Sequence, residues 1–376
     1  MAAPAAAAAA SFGPDPAGTL LPDGTRWGAF DPSTVAFEGD VEAVLAARSV
    51  EVVASGFRWT EGPTWVPQDE ALLFSDTIDA RIYRWTAAGG ASVWLEQSGG
   101  YDGANVEGYG TLFEPGSNGM ALSGGELYVC QHATHRVARL SVSKVQPGGR
   151  FCDGDFAVLA DSFQGQRLNS PNDVVVGPDG RSVWFTDPIY GFLQRGAPGA
   201  FLPMLPDPLP GPSCHNACDL PYLDERAAAG VGHKGVYRWR DGALELATAR
   251  HERPNGLAFS PDGKTLWVAD SLAEGFSWTS YAVGDELPLQ PLLTLGEKEL
   301  GEMPGPGLAD GFKIDKAGLI WSSMPQGVCV IDPGPAKPRV VAKVLLRTNV
   351  SNIEFGAGGD VWVTGLGHVW RLQRKT

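Results

Sequence analysis

The chain has 376 residues, 43% hydrophobic and 19% charged, with a formal charge of −14 from 29 basic and 43 acidic side chains. So many apolar residues can build a substantial core, while the acidic surplus disfavours nucleic acid and anionic membrane as partners, because either recruits a basic patch. No apolar run approaches the roughly 18 to 20 residues of a membrane-spanning helix, and 49 Gly with 29 Pro points to many tight turns.

Residues 1–45 read as a low-complexity, extended N-terminal segment. Met1–Ala10 is an alanine tract and no Lys or Arg precedes Arg26, unlike the basic start of a secretory signal or an Arg-rich presequence. The expected address is therefore the cytoplasm. Residues 46–376 are expected to form one all-β domain, opening on the strand-like run Val50-Glu51-Val52-Val53.

Six segments then repeat one grammar. They begin at Glu61-Gly62-Pro63, Asn118-Gly119-Met120, Asn172-Asp173-Val174, Asn255-Gly256-Leu257, Asp310-Gly311-Phe312 and Asn352-Ile353-Glu354. A polar residue leads an apolar stretch, a turn such as Pro178-Asp179-Gly180 or Pro261-Asp262-Gly263 follows, and a second run such as Val183-Trp184-Phe185-Thr186 or Leu266-Trp267-Val268-Ala269 closes a hairpin. Third runs, Ile82-Tyr83-Arg84-Trp85, Val236-Tyr237-Arg238-Trp239 and Val369-Trp370-Arg371-Leu372, alternate apolar and basic residues as a strand with one wet face does. The spacing suits propeller blades or another repeat array. The long interval between Asn172 and Asn255 holds an insertion at 192–232, rich in Pro and Gly, which reads as a loop and candidate lid.

A sheet of about four strands cannot bury both faces alone, so six of them close into a ring. The expected fold is a six-bladed β-propeller, with Val50–Val53 as the outer strand of the last blade. Equivalent positions at the start of innermost strands would bring Glu61, Asn118, Asn172, Asn255, Asp310 and Asn352 to one end of the channel. For any one of them, an ordinary turn or backbone bond is the simpler explanation; recurrence in register is not explained that way. Glu61, Asn172, Asn255 and Asp310 offer hard oxygen donors, the preference of Ca²⁺ or Mg²⁺ and less selectively Mn²⁺.

A second set, Asp76, Asp187 and Asp270, follows Glu61, Asn172 and Asn255 at one constant spacing and is expected to bond blade-to-blade backbone or the turn, with Asp187 and Asp270 as reserve ligands. His132 and His135 sit where the channel rim is expected, His132 being a candidate substrate contact. Cysteines at 130, 152, 214, 218 and 329 match no zinc spacing and are expected as free thiols, although Cys214 and Cys218 could bridge a short loop. There is no Gly-x-Ser-x-Gly nucleophile motif, and Pro304-Gly305-Pro306-Gly307 fits neither a P-loop nor a dinucleotide fingerprint.

Glu61-Gly62-Pro63-Thr64-Trp65 with Phe74-Ser75-Asp76, Leu168-Asn169-Ser170-Pro171-Asn172-Asp173-Val174 with Phe185-Thr186-Asp187-Pro188, Arg253-Pro254-Asn255-Gly256-Leu257 and Ala309-Asp310-Gly311 resemble the SMP-30/gluconolactonase/LRE-like family over about residues 50 to 372. The resemblance implies a central divalent cation, usually calcium or zinc, held by Glu61, Asn172, Asn255 and Asp310, with Asn118 and Asn352 facing the substrate. It implies hydrolysis of a sugar lactone, the cation polarising the carbonyl and Asp310 serving as base or as the group that orients the water. Phosphotriester hydrolysis at the same metal and a non-catalytic metabolite-binding or partner-binding propeller are the alternatives. A monomer is the expected state.

Overall fold

The structure, a computed structural model, describes residues 30–101, 114–192, 230–272, 275–305, 307–334 and 337–375. Most of the insertion, with Cys214, His215 and Cys218, lies outside the described residues. Among them no helix is long and apolar enough to cross a membrane, and Cys130, Cys152 and Cys329 are free thiols.

The architecture is all-β, built mainly from antiparallel pairs of consecutive strands, with one short parallel pairing of Gly90–Glu96 with Gly149–Arg150. One four-stranded sheet holds Ser117–Ser123, Glu126–Gln131, Arg136–Ser141 and Phe156–Ala160; a second holds Val174–Val176, Val183–Asp187, Gly235–Arg240 and Ala243–Thr248; a third holds Pro254–Phe259, Thr265–Asp270, Ser277–Ala282 and Pro291–Leu295. A five-stranded sheet runs from Phe312–Ile314 outward through Ile320–Met324, Gly327–Asp332 and Arg339–Leu345 to Ala36–Gly39. That last strand lies within the segment expected to be an extension. It is held because Ala36–Gly39 pairs with Arg339–Leu345 and because Val41, Val44 and Leu45 bury against Val341 and Val344.

The remaining large sheet has seven strands and contains the closure. Val350–Phe355 pairs with Asp360–Gln373, which pairs with Glu51–Val66, which pairs in turn with Ala71–Asp76. The register places Glu51 opposite Arg371 and Val52 opposite Trp370, so the expected outer-strand role of Val50–Val53 is the one observed. A bulge between Ser55 and Trp59 then turns the same strand into the first repeat. Trp65 stacks on Trp362 at 5.7 Å and Trp85 approaches Trp362 at 4.9 Å across this seam.

The six leading strands touch one another in order, from Glu51–Val66 through Ser117–Ser123, Val174–Val176, Pro254–Phe259, Phe312–Ile314 and Val350–Phe355 and back to Glu51–Val66. Apolar clusters fill the spaces between neighbouring units, one joining Leu73 and Trp94 to Met120 and Leu127, another joining Trp267 and Trp278 to Phe312 and Ile320. Trp184, Trp278, Trp321, Trp362 and Trp370 are fully buried. Each such indole removes on the order of 200 Å² from water, roughly 5 kcal/mol of gross transfer free energy.

The turns follow from their residues. In Pro178-Asp179-Gly180, Asp179 Oδ1 accepts the backbone N–H groups of Arg181 and Ser182 at 3.0 and 2.8 Å, and Gly180 adopts φ +66°. Asp262 repeats the device toward Lys264. The constant spacing of Asp76, Asp187 and Asp270 has an equally local cause. Each carboxylate reaches back 18 residues to a backbone N–H in the lead-in of its own unit: Arg58 to Asp76 at 2.8 Å, Asn169 to Asp187 at 2.9 Å and Glu252 to Asp270 at 3.1 Å. These three Asp residues clasp the lead-in to the second strand, as expected of backbone-bonding groups.

Burial dominates Asp187, and its pKa is pushed up to about 8 although the Asn169 and Ser170 N–H groups and Arg167 oppose the shift. The folded state therefore binds a proton that the unfolded chain has released, so this group's contribution is complete below the ordinary carboxylate pKa near 4 and is lost as pH rises toward 8. Asp187→Asn keeps an acceptor for Asn169 and removes the titration. Denaturant unfolding of both proteins from pH 5 to 8 should show the parent losing stability relative to the variant, at up to about 1.4 kcal/mol per pH unit. A difference that stays flat with pH would show that Asp187 is already ionised in the folded protein.

Candidate functional site

The site begins with a packing problem where the leading strands meet. A methyl group on Gly62 would overlap the backbone oxygen of Asn118, one on Gly119 would overlap Asp173 and the oxygen of Asn172, one on Gly256 would overlap the oxygen of Asp310, and one on Gly311 would overlap the Asn352 side chain. In these four units the glycine beside the polar residue is thus the point of contact with the next unit's polar residue. Hydrogen bonds run through the same points: Gly119 N donates to Asn172 O at 2.7 Å, Gly256 N to Asp310 O at 3.1 Å and Gly311 N to Ser351 O at 2.6 Å.

This linkage brings the backbones of the predicted residues together, and two pairs of their side chains meet, Glu61 with Asn352 and Asp310 with Asn255. Glu61, Asn118, Asn172, Asn255 and Asn352 are buried and Asp310 is half-buried. Asn352 Nδ2 donates to Glu61 Oε2 at 3.4 Å, and Gly62 N donates to the same oxygen at 3.1 Å. Asn255 supports the Asp310 carboxylate through its side chain, and Ser323 Oγ accepts from Asp310 N at 2.7 Å. Thr186 Oγ1 and Ser75 Oγ hold the backbone oxygens of Asn255 and Asn118 at 2.8 and 2.9 Å. The threonine and serine before the clasping Asp residues therefore fix the backbone of the neighbouring unit's polar residue.

Acidic groups dominate the ring. Burial, then Asp173, pushes Glu61 up to about 8, against the Gly62 N–H and Asn352. Asp310 is raised well above the ordinary range by burial and then by Glu61, Asp173 and Glu114, with Asn255 opposing. Glu114 is itself pushed up to about 8 by burial and by Glu61. Four carboxyl groups this close cannot all ionise without a compensating positive charge. Lys313 opposes the shifts of Asp173 and Glu354, whose carboxyls burial raises.

Two of these carboxyls, Glu114 and Asp173, were not among the expected site residues. Asp173 stands where four other units carry the contact glycine and the last carries Ile353. Glu114 lies four residues ahead of Asn118 in Glu114-Pro115-Gly116-Ser117, and only the fold brings it to Glu61. His132 is fully buried rather than on an open rim, with Nδ1 3.5 Å from Glu114 Oε2. His135 turns away, its Nδ1 contacting the backbone oxygen of Asn169. Asp187 and Asp270 are engaged by backbone.

The donor set fits a hard divalent cation. Every candidate donor is an oxygen, Asn118 Oδ1 and Asp173 Oδ2 are buried without a hydrogen-bond partner among the described residues, and the carboxyls carry charge that only a cation or protons can neutralise. Among the described residues no three His, Cys, Asp or Glu side chains form a ready ligand cluster; the expected set has only two carboxylates, with amides as its other donors. Gly119→Ala should lower unfolding free energy by about 1–3 kcal/mol, the usual cost of overpacking, because its methyl group meets the Asn172 backbone. An unchanged thermal midpoint for this variant would remove close approach as the reason for glycine.

Comparisons with known proteins agree with the geometry. A family model described as the SMP-30/Gluconolactonase/LRE-like region matches residues 59–366. A gluconolactonase of Zymomonas mobilis is 32% identical over 356 residues, covering 90% of this chain and 85% of that protein. Among solved structures, a gluconolactonase from Xanthomonas campestris superposes with a TM-score of 0.65 at 26% identity, covering 93% of this chain and 98% of that one. Regucalcin from Agrobacterium tumefaciens, a calcium-binding protein, shares the fold with a TM-score of 0.53 at 13% identity, over 90% and 94% of the two chains.

Proposed function

The chain belongs to the SMP-30/gluconolactonase/LRE-like family, and on that premise we propose that it is a lactonase, hydrolysing the ring ester of a sugar lactone where its leading strands converge. The observation that supports the reading is that Glu61 raises the Asp310 carboxyl across the channel while Asn352 bonds the one and Asn255 the other. Glu61, Asn172, Asn255 and Asp310 would hold a divalent cation, with calcium the first candidate and zinc, manganese or magnesium the others. Such a cation would supply the positive charge that favours attack on the lactone carbonyl.

The protein's own part is positioning and proton handling. Asn255 fixes the Asp310 carboxyl and Asn352 fixes that of Glu61, so neither is free to turn away. Asp310 orients the attacking water and takes its proton, a role open to it once positive charge in the ring has favoured its ionised form. Asn118 Oδ1, without a hydrogen-bond partner among the described residues, is available to a substrate hydroxyl. Asn352 flanks Glu61 from the opposite neighbour and completes the wall. A cytoplasmic monomer acting on a small molecule is part of the same proposal.

Two experiments test it. Protein stripped with a chelator should release protons from sugar lactones at the uncatalysed rate, and one of Ca²⁺, Zn²⁺, Mn²⁺ or Mg²⁺ added back should restore turnover; full activity after chelation would remove the cation from the mechanism. Asp310→Asn should cut kcat by about a hundred-fold or more. In chelated protein the same variant should keep or raise the thermal midpoint, because it deletes a charge that burial and three other carboxyls oppose. Near-parent turnover in Asp310→Asn would take Asp310 out of the reaction.

A further inference from the structure

Beside the ring lies a polar pair that the mechanism leaves unused. Glu114 is 7% exposed and His132 is fully buried. Glu114 Oε2 and His132 Nδ1 are 3.5 Å apart, too far to satisfy each other well, and neither ring nitrogen of His132 has a hydrogen-bond partner of good geometry among the described residues, the Glu114 backbone being its one hydrogen-bonding neighbour. Burial and the neighbouring His135 push the imidazole down to about 3, against the Glu114 backbone, so it is neutral, with one N–H donor and one acceptor nitrogen. Buried polar atoms of this kind normally find partners.

The pair's place in the repeat shows that it is not another clasp. His132 N donates to Gly116 O, as Thr77 N donates to Trp59 O and Ser271 N to Arg253 O, each acceptor standing two residues before its unit's leading polar residue. His132 thus follows the clasp position, which here is Gln131, bonded instead to Ser98 O. In the corresponding place Ser271 Oγ caps Ala309 O, beside the next unit's leading residue, and Thr77 O accepts from Gly116 N. His132 faces the next lead-in in the same way, with Gly191 and Ser170 closing over it, since a methyl on Gly191 would meet Ser170 and His132 together. Glu114 is raised by Glu61 and in turn raises Asp310, so it stands within electrostatic reach of both carboxyls.

We propose that Glu114 and His132 form a hydroxyl-binding subsite beside the ring, receiving a vicinal diol of the lactone and setting a preference for polyhydroxylated substrates over bare lactones. The inference rests on the lactonase reading. A hydroxyl both donates and accepts, so two adjacent hydroxyls can engage the imidazole N–H, the acceptor nitrogen and the carboxyl oxygens at once. A lactone without hydroxyls leaves those atoms unpaired in a dry site, which is the arrangement that discriminates most sharply.

The test compares kcat/KM for glucono-1,5-lactone and for δ-valerolactone, which lacks hydroxyls, in metal-supplemented full-length protein, Glu114→Gln and His132→Gln. The ratio of the two values should fall about ten- to hundred-fold in each variant, carried more by KM for the polyol lactone than by kcat. A ratio that stays within about two-fold of the parent's, whether both rates survive or both drop together, overturns the subsite and leaves a structural pair or a buried water in its place. Glu114→Gln, nearly isosteric, decides the matter where His132→Gln does not fold. A parent protein that opens neither lactone overturns the lactonase reading and this inference with it; a parent active on both, with an unchanged ratio in the variants, overturns the inference alone.

Discussion

Everything in this structure depends on how closely the leading strands approach one another around the channel. Glycine at 62, 119, 256 and 311 lets the neighbouring unit's backbone or side chain come to within the radius of a methyl group. That approach makes the inter-unit hydrogen bonds and closes the cycle of strand contacts around the six leading residues. Larger residues would push the sheets apart. The apolar clusters between units, with their buried indoles, then hold the sheets at the separation that the centre demands.

The centre is electrostatically unfavourable by itself. Glu61, Asp310, Glu114 and Asp173 share a region from which water is largely excluded, and their raised pKa values state the cost in protonation terms. A fold selected for stability alone would place apolar residues here. The clasping Asp residues are a milder case: Asp76 receives four backbone N–H groups and is pushed up only to about 6, against about 8 for Asp187. Hydrogen bonds to the carboxylate offset burial in the clasp; in the ring the main unused resource is external positive charge.

Much of this could be read from the sequence because repetition multiplies weak signals. One Asn-Gly is an ordinary turn, whereas Asn118-Gly119, Asn255-Gly256 and Asp310-Gly311 at matching points of matching hairpins mark equivalent places in a ring. The seam was legible for the same reason, since a last repeat lacking an outer strand needs Val50–Val53. Glu114 was not legible, because its neighbours Pro115 and Gly116 look like any loop and its partner Glu61 belongs to another unit. Asp173 was hidden by its neighbour, Asn172 already accounting for the motif. The strand Ala36–Gly39 escaped notice since four residues added to a sheet edge carry almost no periodic pattern.

The seam also orders events in time. Glu51–Val66 is among the first strands to be synthesised, yet half of its partners lie in Asp360–Gln373, so the ring cannot lock until nearly the whole domain has been made. Until then the growing chain presents an open array whose first and last sheets each display an unsatisfied strand edge, a template for pairing with other chains. The bulge after Ser55, where the first strand leaves the seam for its own repeat, lets the inner half settle on Ala71–Asp76 while the outer half waits. Formation of the seam is then the step that commits the chain, and its long sequence separation makes it slow relative to the hairpins on either side.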